Sequence, residues 1–119
     1  MKKDNALADK TTAFAIRIVK CCKYLQEDRK EYIMSNQILR SGTSIGANIH
    51  EGIYAQSRAD FVSKMSISLK EASETSYWLD LLHKTDYLSD VMFDSLKIEM
   101  DEIMRIIISS IKTAKKNVE

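Results

Sequence analysis

The sequence contains no proline, and its three glycines all fall between positions 42 and 52. Proline is the strongest helix breaker, because it lacks a backbone N–H and its ring collides with the preceding turn. Where that breaker is absent, apolar residues that recur every three or four positions can continue over long stretches. The sequence therefore predicts long helices, and neither strand alternation nor an internal repeat of about 20 to 50 residues competes with them.

Four helical segments are predicted, at about residues 5–26, 35–56, 57–84 and 89–114. Each carries one apolar face at helical spacing. The four faces consist of Leu7, Phe14, Ile18, Cys21 and Leu25; of Ile38, Gly42, Ile45, Ile49 and Gly52; of Phe61, Met65, Leu69, Ala72, Ser76 and Leu79; and of Phe93, Leu96, Met100, Ile103, Ile107 and Ile111. Such helices with short connections favour an all-α, antiparallel up-down-up-down four-helix bundle, with residues 1–119 forming a single domain.

Polar residues mark the predicted helix starts. Ser35 or Asn36 is available to cap the second helix, after the charged connection at residues 27–31. Ser57 precedes Asp60 by three residues, which resembles a capping box with Asp in place of the usual Glu. Ser89 is placed to cap the fourth helix.

The third segment also carries a second stripe, roughly 180° from the stripe of Leu69. This stripe consists of Ile67, Glu71, Glu74, Trp78 and Leu82. Further apolar residues lie off the main faces of the first and fourth helices, namely Ile16, Val19, Val91, Ile98 and Ile106. A lone bundle buries one face of each helix, so the surplus favours a homo-oligomer over a monomer, with Ile67, Trp78 and Leu82 at the contact.

Polar residues form a stripe on the second helix beside small residues that allow close packing. They are Arg40, Ser44, Asn48 and Glu51. Arg40 has three candidate ion partners, Glu51 on its own helix and Glu71 or Glu74 on the next, and the sequence does not choose among them. Glu71 and Glu74 are interpreted as structural, so that removing either should destabilise the packed helices.

The amino-acid composition indicates which class of protein the chain belongs to. Hydrophobic residues make up 45% and charged residues 29% of the chain, which is typical of a globular domain. The amino terminus lacks the apolar run of a secretory signal, and nothing resembles a membrane span, so a soluble cytoplasmic protein is expected. Cys21 and Cys22 are adjacent, which favours buried free thiols over a disulfide or a metal site.

Two segments resemble known functional motifs, but neither has the residues at the spacing that the motif requires. Residues 42–46 lack the lysine and the spacing of a phosphate-binding Walker loop. Asp80 and His83 have the spacing of one di-iron ligand pair, but the second pair that such a site requires is missing, because Ala47 precedes His50 by three residues. With two histidines and no nucleophile–base set, the sequence predicts a non-enzyme without a catalytic, cofactor or metal site.

Lysines are concentrated at the two chain ends, which an antiparallel bundle brings to one pole. They are Lys2, Lys3, Lys10, Lys112, Lys115 and Lys116. Acidic residues occupy the other part of the fourth helix, at Asp86, Asp90, Asp94, Glu99, Asp101 and Glu102. The six lysines are candidate nucleic-acid-binding residues. The alternative is that the carboxyl-terminal lysines interact with the negative end of the helix macrodipole.

Three segments carry a resemblance to a known family: Gln37–Gly52, Asp60–Lys64 and Leu69–Leu79. They are similar to the bacterial four-helix-bundle proteins encoded in intervening sequences of large-subunit ribosomal RNA genes, and the similarity spans nearly the whole chain. That family includes the accessory protein of diversity-generating retroelements. The resemblance implies a homopentameric barrel of bundles and, for the retroelement relative, binding to a reverse transcriptase and to RNA or DNA through a basic surface.

The chain departs from that relative in charge, since its formal net charge is only +1. It also lacks the Lys- and Arg-rich tails of small proteins that penetrate ribosomal RNA, so we do not expect a ribosome component. Two hypotheses follow: an oligomeric accessory protein that binds nucleic acid, and an assembly scaffold that binds only protein.

Overall fold

A computed structural model describes the backbone of residues 2–118 and the side chains of residues 5–116. Four α-helices follow one another along the chain: α1 (Lys2–Glu27), α2 (Ile33–Ile53), α3 (Arg58–Lys84) and α4 (Asp90–Val118). The all-helical prediction is confirmed. The boundaries differ most at α2, which starts and ends earlier than predicted, and at α4, which continues beyond Ala114.

Consecutive helices run antiparallel, as the predicted up-down-up-down topology requires. Gly42 of α2 lies against Ile18 of α1, and Thr75 of α3 hydrogen-bonds Ser41 of α2 at 2.9 Å. Lys97 of α4 binds Asp80 of α3 at 3.1 Å. The bundle measures about 49 × 20 × 20 Å. Each helix packs mainly on its neighbours in the chain, and of the four helix pairs that touch, α1 and α4 contact each other least.

Polar side chains bridge α1 and α4. Lys10 binds Glu102 at 2.7 Å, and Arg17 pairs with Glu99. Arg17 also donates to the hydroxyl of Ser95 at 2.7 Å. These pairs are partly exposed to solvent, so salt screens them and each contributes little to stability.

The side chain of Glu31, two residues before α2 starts, caps this helix, contrary to the prediction that Ser35 or Asn36 does so. One carboxylate oxygen accepts from the backbone N–H groups of Ile33 and Met34 at 3.1 Å each, and the other accepts from Ser35 at 2.7 Å. The first N–H groups of a helix have no intrahelical partner, so a buried carboxylate at this position satisfies three of them at once. The predicted caps of the other helices are confirmed, since Ser57 accepts from Asp60 at 3.0 Å and Ser89 from Met92 at 3.2 Å.

The predicted apolar faces form the core. Most of their residues are buried, and the remainder, Phe61, Leu69, Ser76, Phe93 and Ile111, are partly buried. Leu82 is also fully buried and belongs to this core. The prediction that Leu82 lies on an exposed second stripe is therefore wrong.

The two connections at one pole bind each other. Arg29, which follows α1, donates to the backbone carbonyls of Asp86 and Tyr87 at 3.0 and 2.9 Å, and its guanidinium lies 5.2 Å from the centre of the Tyr87 ring. The α1–α2 and α3–α4 connections are thereby fastened together across the end of the bundle.

Candidate interaction surfaces

The outer face of α2 and α3 carries an ion-pair cluster centred on Arg40. Its guanidinium donates to Glu71 at 3.0 Å and also to Glu74. Trp78 donates its indole N–H to the same Glu74 oxygen at 3.1 Å. Glu51, the third candidate partner of Arg40, binds Lys64 instead, at 3.1 Å. The cluster therefore joins α2 to α3 rather than bracing α2 along its own length.

Charge pairing shifts the acid–base properties of this cluster. Hydrogen bonds from Arg40, and then from Trp78, lower the pKa of Glu74, and the bond to Glu74 raises the pKa of Arg40. The Arg40 side chain is 52% exposed. Solvent therefore screens these interactions, and removing one partner should cost less than the loss of a deeply buried pair would.

The residues predicted at the oligomer contact occupy three different environments. Ile67 is 41% exposed. Trp78 is partly buried, packs against the core and makes an edge-on contact with the exposed ring of Tyr77, at a centroid distance of 5.0 Å. Leu82 lies inside the bundle. Ile67 and Trp78 therefore remain available for a contact on the α2–α3 face, and Tyr77, which the sequence pattern did not single out, lies beside Trp78.

The predicted basic pole is only partly assembled. Lys112, Lys115 and Lys116 are exposed near the end of α4, whereas Lys10 is engaged by Glu102. A hydrogen bond from Lys10 lowers the pKa of Glu102, as expected for a carboxylate held by a cation. Lys2 and Lys3 lie outside the residues whose side chains are described.

A shallow groove of about 400 Å³ runs along the outer face of α4. It is lined by Arg105, Ile108, Ser109, Lys112, Thr113 and Lys116. All six residues belong to one helix, so the groove is a surface feature of α4 rather than an opening into the core.

Both histidines contact other side chains, and both cysteines are buried. His83 lies 2.7 Å from Asp90 and stacks on Phe93, whereas Asp80 binds Lys97. His50 contacts the Thr12 hydroxyl at 3.1 Å. Burial raises the pKa of Cys21 to about 11 and that of Cys22 to about 12, so both thiols are protonated at neutral pH. Within the described residues, no three potential metal ligands cluster together, and none of the described helices combines the length and apolar character that a membrane crossing requires.

Comparison with protein families decides the classification. The family described as 23S rRNA-intervening sequence protein matches residues 3–109. The chain belongs to this family. The resemblance drawn from the three sequence segments is thereby confirmed.

Similarity to a solved structure supports the fold. The chain is similar to a protein of unknown function from the S23 ribosomal protein family of Bacteroides thetaiotaomicron, with 54% sequence identity and a TM-score of 0.91. The similarity covers 92% of this chain and 98% of that one. None of the curated proteins compared matches the chain.

Proposed function

We propose that this member of the 23S rRNA-intervening sequence family is a non-catalytic homo-oligomeric assembly protein of the cytoplasm. The observation that carries the proposal is the exposure of large apolar side chains outside a filled core, notably Tyr77 beside Trp78 and, about three turns away on the same helix, Ile67. Exposed apolar side chains along one helix are typical of protein–protein contacts. Family resemblance favours five copies.

The directions of three pKa shifts support a binding role rather than catalysis. The pKa of Glu74 is lowered, whereas a general acid at neutral pH needs a raised one. The pKa values of Cys21 and Cys22 are raised to about 11 and about 12, whereas a nucleophilic thiol needs a lowered one. The pKa shifts therefore disfavour Glu74 as a general acid and both cysteines as nucleophiles.

Light scattering on wild type and on Ile67→Lys tests the assembly. Ile67 is exposed and is not part of the core, so a lysine there should leave the fold intact but place a charge in the α2–α3 contact. We expect the wild type to exceed the monomer mass at micromolar concentration and Ile67→Lys to have a lower mass. Ile16→Lys, a replacement on α1 at a somewhat more exposed isoleucine, is the matched control and should keep the wild-type mass. A monomeric wild type would contradict the proposal.

Nucleic-acid binding is the second candidate function, with a reverse transcriptase as a further possible class of partner. The exposed cations Lys112, Lys115 and Lys116 near the end of α4 favour it, because a ring of copies would repeat them around one pole. Such binding would show little sequence preference, since lysine–phosphate contacts carry no base information.

Filter binding of structured RNA at two salt concentrations tests this second function. Wild-type affinity should fall by roughly 0.9 log units per log unit of salt for each duplex phosphate neutralised. The Lys112/Lys115/Lys116→Gln variant should bind at least tenfold more weakly. A Lys20/Lys23/Lys70→Gln variant removes the same charge from exposed positions elsewhere and should bind like the wild type. Equal binding by all three proteins, or no binding at low salt, would leave the assembly function alone.

A further inference from the structure

The outward face of α4 carries a second heptad pattern, opposite the one that enters the core. Its residues alternate in steps of three and four: Val91, Asp94, Ile98, Asp101, Arg105, Ile108, Lys112 and Lys115. Val91, Ile98 and Ile108 are 80%, 68% and 39% exposed. Steps of three and four place residues along one stripe of a helix, which is the arrangement by which two helices pack lengthwise.

Charge is segregated along this stripe. Asp94 and Asp101 lie in its first half, and Arg105, Lys112 and Lys115 lie in its second half. None of these five side chains forms an ion pair with another side chain that the structure describes, although Arg105 is close enough to Glu102 to help lower that carboxyl's pKa. The rest of the bundle therefore leaves the charges of the stripe available to a partner.

We propose that this α4 stripe binds the same stripe of a second copy of the chain, with the two helices antiparallel. An antiparallel register centred between Asp101 and Arg105 places Asp101 opposite Arg105 of the partner subunit and Asp94 opposite Lys112 of the partner subunit. It also places Ile98 opposite Ile108 of the partner subunit, and Val91 against the aliphatic part of Lys115 of the partner subunit. Every position of the stripe then meets a complementary one.

The groove on α4 can accept a side chain of the partner subunit in this contact. In lengthwise helix packing, a side chain of one helix enters a hole formed by four residues of the other. Arg105, Ile108, Ser109 and Lys112 have the spacing of such a hole, and all four line the groove. The antiparallel register directs Ile98 of the partner subunit into it.

Orientation follows from the charges. A parallel pair in register would set Asp94 against its own copy and Lys112 against its own copy, so like charges would repel. A two-fold contact also closes after two copies, so it can join two rings but cannot build one. The α4 pairing rests on the homo-oligomeric function proposed above, but it uses a different face from Ile67.

Charge reversal followed by mixing tests the pairing. The Asp94→Lys/Asp101→Lys variant has a basic stripe, and the Arg105→Glu/Lys112→Glu variant has an acidic one. Each alone should have half the wild-type mass by light scattering, with an unchanged helical circular dichroism spectrum, and an equimolar mixture should recover the wild-type mass. Retention of that mass by either variant, or no recovery on mixing, would overturn the pairing.

Disulfide trapping tests the register. Ile98→Cys and Ile108→Cys should cross-link to each other when mixed, but Ile98→Cys should not cross-link to itself, because its two copies would lie about 15 Å apart along the helices. The native cysteines are buried and do not compete. Self-cross-linking of Ile98→Cys would indicate parallel helices and contradict the proposal.

The outcomes separate this pairing from the proposed function. An oligomeric wild type whose mass survives both charge reversals retains the assembly function and loses the α4 contact. A halved mass after charge reversal, together with no effect of Ile67→Lys, retains the α4 contact and rejects the α2–α3 contact. If Arg105→Glu/Lys112→Glu abolishes RNA binding without a change in mass, the stripe serves nucleic acid and the α4 pairing is wrong.

Discussion

Replacing Gly42 with Ala is expected to lower the free energy of unfolding by about 1 to 2 kcal/mol. A Cβ atom at this position would lie 2.8 Å from Cγ2 and 3.0 Å from Cγ1 of Ile18. Ile18 is fully buried and branched at Cβ, so its side chain has little freedom to turn away. The typical cost of such overpacking, about 1 to 3 kcal/mol, exceeds the ~1 kcal/mol that Ala gains over Gly in a helix. Thermal and urea unfolding measure the change.

Gly46 provides the matched control for Gly42. An added Cβ atom there meets Thr11 at 3.4 Å, an ordinary contact distance. Gly46→Ala should therefore be neutral or stabilising by up to about 1 kcal/mol. In an Ile18→Ala background, which removes the two clashing atoms, Gly42→Ala should likewise lose its cost. Equal effects of Gly42→Ala with and without Ile18 would disprove the steric account.

Replacing Glu31 with Ala is expected to destabilise the bundle by about 2 kcal/mol, the upper end of the range for helix caps. The change leaves the N–H groups of Ile33, Met34 and Ser35 without their acceptor, and that of Ser35 lies at a buried position. Hydrogen exchange at these three amides should accelerate, which identifies the cap as the cause rather than a general loss of stability.

Glu31→Gln should fall between Ala and the wild type, because one amide oxygen can replace only one of the two carboxylate oxygens that accept here. Glu27→Ala removes the same charge from an exposed position nearby and should change stability by less than about 0.5 kcal/mol. If Glu27→Ala were as damaging as Glu31→Ala, net charge rather than capping would explain the effect.

The fold was predictable because helical periodicity and the absence of proline both act locally along the chain. The caps at Ser57 and Ser89 were predictable for the same reason, since each bonds a backbone group three residues away. The start of α2 was not predictable in this way. Glu31 lies outside the usual set of cap residues, and its role depends on its burial in the folded connection between α1 and α2.

Leu82 shows that residues assigned to one stripe by helical spacing can face different directions when they are far apart along the helix. Fifteen residues separate it from Ile67, and at 100° per residue this rotates it roughly 60° around the helix, far enough to enter the core. The choice of Glu71 and Glu74 as partners of Arg40 depends on how α2 and α3 are aligned, which spacing along one helix does not encode. The pairing of Lys10 with Glu102 could not be predicted for the same reason, because it depends on how α1 and α4 are aligned.

The order of helix contacts also bears on how the chain acquires its structure. Because each helix packs mainly on the next one along the chain and few contacts join α1 to α4, most native contacts close short loops. Low contact order of this kind is typical of helical domains that fold in microseconds to milliseconds. Without proline, the chain also has no prolyl isomerisation to delay it by tens of seconds. Any slow phase in forming the native assembly should therefore depend on protein concentration, since it would report the meeting of chains rather than the folding of one.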